Sequence, residues 1–384
     1  MNTLTRRAAM KMLAGVGAAI SGGCVERSGG SGETPMQSSD ESPTPGADPV
    51  QQVIALPATG PWPTRDPFLF CVHHNDAYPP GNGVLGPNAT LQGRVQGQDF
   101  ANREGWNMYH GEAVPGFPRH PHRGFETVTV VNRGLIDHSD SLGCAARYGD
   151  GDVQWLTAGD GINHAEMFPL VETASDNPMS FFQIWLNLPR ERKRVAPEFK
   201  MLWKEQLPVV EQGGTAGEKT RVRVIAGELS GARALKPPVN SWAADPRNGV
   251  SIWWGEMEPN ATWVLPAHDA EFHRDVYLVS GTTITVAGRS HASGQRLSLR
   301  ADTEGVIRAG GTAAGVLVLQ GRPIGEPVVQ HGPFVMNTSE EIREAVHDYQ
   351  RTQFGGWPWP SDEPTLGPTR RRFARRGGEV EEPS

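Results

Sequence analysis

The sequence predicts an all-β protein of about two domains, closed by one helix near its C-terminal end. Three observations predict it. The chain has 384 residues, and roughly 150 residues per domain suggests two. Its 46 glycines and 32 prolines make up roughly a fifth of the chain, against about an eighth in average usage, which suits short strands and many turns. The apolar residues also fall in short runs bounded by turn signals.

The runs justify the strands one by one. Residues 68–72 form an apolar stretch in which Cys71 reads as a small core residue. Residues 125–131 are rich in β-branched side chains and end at the turn signal Asn132-Arg133-Gly134. Residues 153–156 follow Gly149-Asp150-Gly151-Asp152, and residues 181–188 stop at Pro189. A second set follows the loop Glu211-Gln212-Gly213-Gly214, with runs at 222–225, 250–254, 276–279, 283–286 and 316–319. Regular short strands predict sandwiches or barrels. The helix comes late: Thr338 and Glu341 have capping-box spacing, and Ile342, Val346 and Tyr349 then share a face that packs on the barrels.

Charge excludes one class of function. The net charge is −7, and an acidic body argues against broad binding to nucleic acid. The basic cluster of Arg370, Arg371, Arg372, Arg375 and Arg376 lies in a Gly/Pro-flanked end followed by glutamates, and reads as a solvated, mobile tail. The three cysteines, Cys24, Cys71 and Cys144, include no CxxC pair, so a zinc–thiolate site is not expected.

The first residues read as an address. Arg6, Arg7 and Lys11 precede a short Gly/Ala-rich apolar stretch, the pattern of a twin-arginine signal, too short to span a bilayer. Ser21-Gly22-Gly23-Cys24 resembles a lipoprotein cleavage box, although Ser21 stands where Leu is usual. The expectations are a signal at 1–24, lipidation at Cys24 and a flexible tether over 25–57, hence an exported protein of the periplasm or cell envelope.

Two segments carry chemistry, His120-Pro121-His122 and His164-Ala165-Glu166. In each, two metal-ligand side chains sit at i and i+2, and on an extended chain they point to the same side. Two such segments can place four donors around one point inside a barrel. Three imidazoles and a carboxylate suit a first-row transition metal with positions left open. Glu126 competes with Glu166, because it keeps strand parity with His122 if extension persists, and spacing alone does not choose between them.

The stretch from His120 to Thr129, His120-Pro121-His122-Arg123-Gly124-Phe125-Glu126-Thr127-Val128-Thr129, resembles the signature of the pirin family. So do residues 151–167, the stretch Gln183-Ile184-Trp185-Leu186-Asn187-Leu188-Pro189, and residues 325–338. The resemblance spans about residues 60–350. It implies a bicupin, two tandem cupin β-barrels, with a metal-binding N-terminal cupin at 58–212, a second cupin without metal at 213–325, and a helix and tail over 326–384. It further implies one iron held by His120, His122, His164 and Glu166, with manganese, copper, nickel or zinc as alternatives, and Glu126 as a supporting residue.

The sequence departs from that pattern between Cys71 and His120, where it is longer. The extra stretch includes residues 73–78 and 105–110, expected to line the pocket mouth. Asn163 and Ala165 flank the ligand histidine where Val and Ser are common. In the second barrel His268 and His273 are five apart and break strand parity, so they read as structural. His138 reads as a turn residue or a neighbour of the site, and His331 as a packing or hydrogen-bonding residue beside the helix.

The resemblance implies a dioxygenase of the quercetin 2,3-dioxygenase type acting on an aromatic or flavonol-like small molecule. Glu166 is the expected base and Glu126 the reserve. The alternative is a non-catalytic, iron-dependent binding or redox-sensing protein of the envelope. A monomer is expected.

Overall fold

A computed structural model of the chain describes residues 48–214 and 217–384. The predicted signal, Cys24 and most of the tether lie outside the described residues. No helix among the described residues is long and apolar enough to cross a membrane.

Ten strands open the fold: β1 (Val50–Ala55), β2 (Phe68–Tyr78), β3 (Gly116–His122), β4 (Phe125–Arg133), β5 (Leu135–Asp140), β6 (Ala145–Gly149), β7 (Val153–Thr157), β8 (Ile162–Met167), β9 (Asn177–Asn187) and β10 (Glu198–Leu202). Strands β10-β7-β4-β9-β2 make one sheet of the N-terminal barrel, and β6-β5-β8-β3 make the core of the other. In the C-terminal barrel a large sheet holds Lys219–Ala226, Ser251–Met257, Ala314–Gly321, His273–Ser280 and Gln295–Leu299, opposite a four-stranded sheet. The structure is thus the all-β, two-barrel architecture that the short runs and turn signals predict.

Strand alternation divides the buried residues among three cores. Along β4, Thr127, Thr129 and Val131 point into the N-terminal barrel, while Val128 and Val130 point out of it. With Val153, Trp155, Phe182 and Ile184 they meet Ile252, Trp254, Tyr277 and Leu317 of the second barrel's large sheet. The barrels therefore pack through their large sheets. Each fully buried aliphatic or aromatic side chain in that seam contributes about 1.5–3 kcal/mol. The second barrel is filled by Val224, Trp253, Trp263, Ile284, Ile307 and Val318. The first admits polar side chains among its aromatic ones, Gln154, Gln183, His138 and His164 among them.

Helix α1 (Ser339–Thr352) has the predicted capping box: Glu341 N donates to Thr338 Oγ1 at 3.2 Å and Thr338 N to Glu341 Oε2 at 2.9 Å. Its Ile342, Ala345 and Tyr349 pack on Phe334, Met336 and Phe354.

Both chain ends differ from expectation. β1 lies in the predicted tether, yet pairs with Gln295–Leu299 of the C-terminal barrel. The predicted mobile tail forms the hairpin Phe373–Arg376 and Glu379–Glu381, whose first strand pairs with β6 of the N-terminal barrel. Its arginines meet acidic loops: Arg370 pairs with Asp150 and Glu172, and Arg372 with Asp152 and Glu205. Val209–Gly213 pairs with Lys219–Ala226, so the second barrel begins before residue 213. Cys71 and Cys144 are both free and buried.

Candidate metal centre

β3 and β8 run antiparallel with His120 opposite His164, and a register shift between Phe117 and His120 sets that pairing. His122 follows on the same face of β3. The three rings converge: centroids are 4.7 Å apart for His120–His122, 4.4 Å for His120–His164 and 4.8 Å for His122–His164. One ligand atom from each lies within 4.8 Å of the others. Among the described residues this is the group of His, Cys, Asp or Glu side chains close enough to hold an ion.

The rings are tuned as neutral donors. Burial, outweighing a hydrogen bond to Pro118 O, takes His120 down to about 4, and burial with neighbouring imidazoles takes His122 and His164 well below the usual value. His120 Nδ1 bonds Pro118 O at 2.8 Å, leaving Nε2 for a ligand. His122 Nδ1 and both nitrogens of His164 are buried without a protein partner. A buried imidazole with no partner is costly, and a cation among three lone pairs removes that cost. The donor set fits a divalent transition metal.

Glu166, two residues after His164, shares its inward face, with Oε2 at 3.8 Å from His164 Nε2. It stands outside the three-histidine group. Gln183 Nε2 donates to Oε2 at 2.9 Å and Thr129 Oγ1 to Oε1 at 3.4 Å. Burial raises its carboxyl to about 7 against the opposing pull of His138, Gln183 and Thr129.

Glu126 is not brought to the histidines. The chain turns at Gly124, with φ +86°, which ends the extension between His122 and Phe125 and reverses the phase. Phe125 then faces His122, at 5.1 Å between centroids, and Glu126 faces away. It accepts from Thr157 Oγ1 and from Ser241 Oγ of the C-terminal half, both at 2.6 Å. Its carboxyl, raised by burial to about 7, belongs to the seam between barrels.

The turn carrying His122 is clamped. Arg123 Nε donates to Asp160 O at 2.6 Å and NH1 to Asp348 of α1 at 3.0 Å. Lys193 Nζ donates to Gly124 O and Asn187 Oδ1 at 2.8 Å and to Val335 O at 3.2 Å.

The extra stretch is anchored by Tyr109, which donates to Asp76 Oδ2 at 2.7 Å and pairs with His74 Nδ1 at 2.9 Å. It reaches the centre through Phe117, 5.1 Å from the Tyr109 ring and 6.4 Å from His120. In the second barrel His273 Nδ1 bonds Asp66 O at 2.7 Å and His268 stacks on Phe272. His331 is exposed in the short hairpin before α1. Sequence reasoning gave no role to Gln183 or Thr129, although strand parity with Trp185 and Thr127 puts both inside.

Comparison with known proteins gives the family. Residues 59–186 match the Pirin family model, and 252–355 match the Pirin C-terminal cupin domain. The chain is 35% identical over 255 residues to a pirin-like protein of Caulobacter vibrioides, spanning 65% of this chain and 84% of that protein. The chain belongs to the pirin family. It is 31% identical over 259 residues to human pirin, spanning 65% of this chain and 81% of pirin. Among solved structures it is similar to quercetin 2,3-dioxygenase from Acinetobacter baumannii, with TM-score 0.60 and 27% identity over 76% of this chain and 86% of that one. The two barrels of this pirin are thus cupins, and the histidine group lies in the first.

Proposed function

We propose that this pirin is a mononuclear iron protein and a dioxygenase of the quercetin 2,3-dioxygenase type. The observation that carries the reading is the convergence of three neutral imidazoles, those of His122 and His164 buried and that of His120 partly so, beside an inward carboxylate. The likeness to the Acinetobacter enzyme supports the reaction class. His120, His122 and His164 would hold the ion, with Glu166 as the fourth ligand. Held there, iron would supply Lewis acidity toward substrate oxygens and dioxygen. Glu166 accepts a proton from a substrate hydroxyl at a carboxylate oxygen, since burial places its carboxyl near neutrality. Gln183 and Thr129 fix that carboxylate. Phe125 and Trp185, 3.9 Å apart and stacked, give an apolar wall beside His122.

The N-terminal sequence supports export to the cell envelope with anchoring through Cys24. A small-molecule aromatic substrate fits the apolar wall. The test is oxygen uptake with quercetin by iron-loaded protein. Turnover is expected, with loss in His164→Ala; no turnover, or a His164→Ala rate equal to wild type, overturns the reading.

A further inference from the structure

We infer that His138, oriented by Asp140, positions the metal-binding ring of His164 by accepting a hydrogen bond from its Nδ1. The inference rests on reading His164 as a ligand.

His138 and Asp140 sit on β5, opposite Glu166 and His164 in register. Both are fully buried. Asp140 Oδ1 accepts from the backbone N–H groups of Leu142 and Cys144 at 2.9 and 3.0 Å, which fixes the carboxylate. Its Oδ2 lies 3.1 Å from His138 Nε2. A carboxylate offers only lone pairs, so it places the ring proton on Nε2 and leaves Nδ1 of His138 a bare acceptor. That Nδ1 is buried without a partner.

His164 presents the complement. Its Nε2 faces Glu166, so Nε2 is the atom turned to the ion. The ring proton then sits on Nδ1, a buried donor that also lacks a partner. The two rings are neighbours, with centroids 5.5 Å apart and planes at 57°. An unmet donor and an unmet acceptor thus lie on adjacent buried rings, and a modest ring rotation or one bridging water joins them. The result is a chain from Asp140 through His138 to His164. Partners of this kind set the tautomer of a ligating histidine and raise its basicity. The plane of His138 is held by Phe199, parallel to within 1° at 5.1 Å. Arg376 of the terminal hairpin lies over the other ring of that stack, 5.2 Å from the Phe199 centroid.

His138 is therefore a positioning residue, and its signature is metal affinity that an acceptor at the Nδ1 position restores. Ferrous iron affinity is measured anaerobically on the full chain by competition with a chromogenic chelator, with the Tm of each metal-free protein measured beside it. His138→Phe keeps the stack on Phe199 and removes both nitrogens. It is expected to weaken iron binding by about 10–100-fold, while the metal-free Tm falls because Asp140 Oδ2 loses its partner. His138→Asn puts an amide oxygen near the Nδ1 position and recovers most of the affinity; His138→Leu replaces the Phe variant if that one does not fold. Iron held as tightly by His138→Phe as by wild type, or no more tightly by His138→Asn than by His138→Phe, overturns the inference. A wild-type protein that binds no iron overturns it together with the reading beneath it, so the two failures are distinguishable.

Discussion

At Glu126 burial acts against two short hydroxyl hydrogen bonds, and burial wins, raising the carboxyl from 4.5 to about 7. The folded state therefore holds this proton more tightly than the unfolded chain. The resulting stability is complete below about pH 4.5 and is lost as pH rises through 7. Glu126→Gln keeps a hydrogen-bonding amide and removes the charge. It is expected to match wild type near pH 5 and to exceed it at pH 8, by up to about 3 kcal/mol, in urea unfolding. Equal pH dependence in the two proteins would contradict the account of Glu126. The metal centre has the opposite arrangement of protons. His120, down to about 4, is already bare at pH 5, so the competing proton between pH 7 and 5 sits on Glu166. Iron affinity is expected to fall about tenfold per unit across that window and to be nearly flat in Glu166→Gln. A slope unchanged by that substitution would remove Glu166 from the ligand set.

At the scale of elements, the β3–β4 turn decides which side chains reach the ion. A Cβ at Gly124 would sit 1.9 Å from Val335 O, and its φ of +86° is strained for any other residue. Gly124→Ala is expected to cost on the order of 2–3 kcal/mol and to lower iron occupancy by displacing His122; normal Tm and occupancy would show that the clamp is not needed. The same turn explains what the sequence made legible. The pairs 120/122 and 164/166 could be read because period-two alternation is local and each pair lies within one strand. Glu126 could not be placed by counting, because Gly124 reverses the phase between His122 and Phe125. Gln183 lies in a legible strand, whereas His138 read as a turn residue or a neighbour of the site and proves to lie on β5; the partners of both come from β8, and a cross-strand register is not written in either strand alone.

At the scale of the molecule, the two barrels exchange their ends. β1 completes the second barrel's sheet and the C-terminal hairpin extends the first barrel's. Between α1 and that hairpin the chain runs over the outer face of β3, β8 and β5. Asn163 Nδ2 donates to Gln353 O at 2.5 Å and to Gly356 O at 3.2 Å, Trp359 Nε1 donates to Asp140 O at 2.8 Å, and Leu366 N donates to Asp137 Oδ2 at 2.8 Å. The sequence hid this, because residues 370–376 read as loose positive charge and residues 50–55 as linker. Arg370 and Arg372, β1 and the first strand of the hairpin find their partners in acidic loops and sheet edges more than 150 residues away. Unfolding of the full chain is expected to show one calorimetric transition; two separate transitions would argue against coupling by exchange. Deleting residues 365–384 leaves the β6 edge open and is expected to lower Tm by about 5–10 °C and to weaken iron binding; an unchanged Tm would mean that the strap is dispensable.

The most direct measurement is metal content per chain, by elemental analysis of purified wild-type protein and of His120→Ala, His122→Ala and His164→Ala after equal exposure to ferrous iron. One ion per wild-type chain, with large losses in each folded variant, is the predicted result. Full occupancy in any of the three variants, or none in wild type, would contradict a centre built by these three rings.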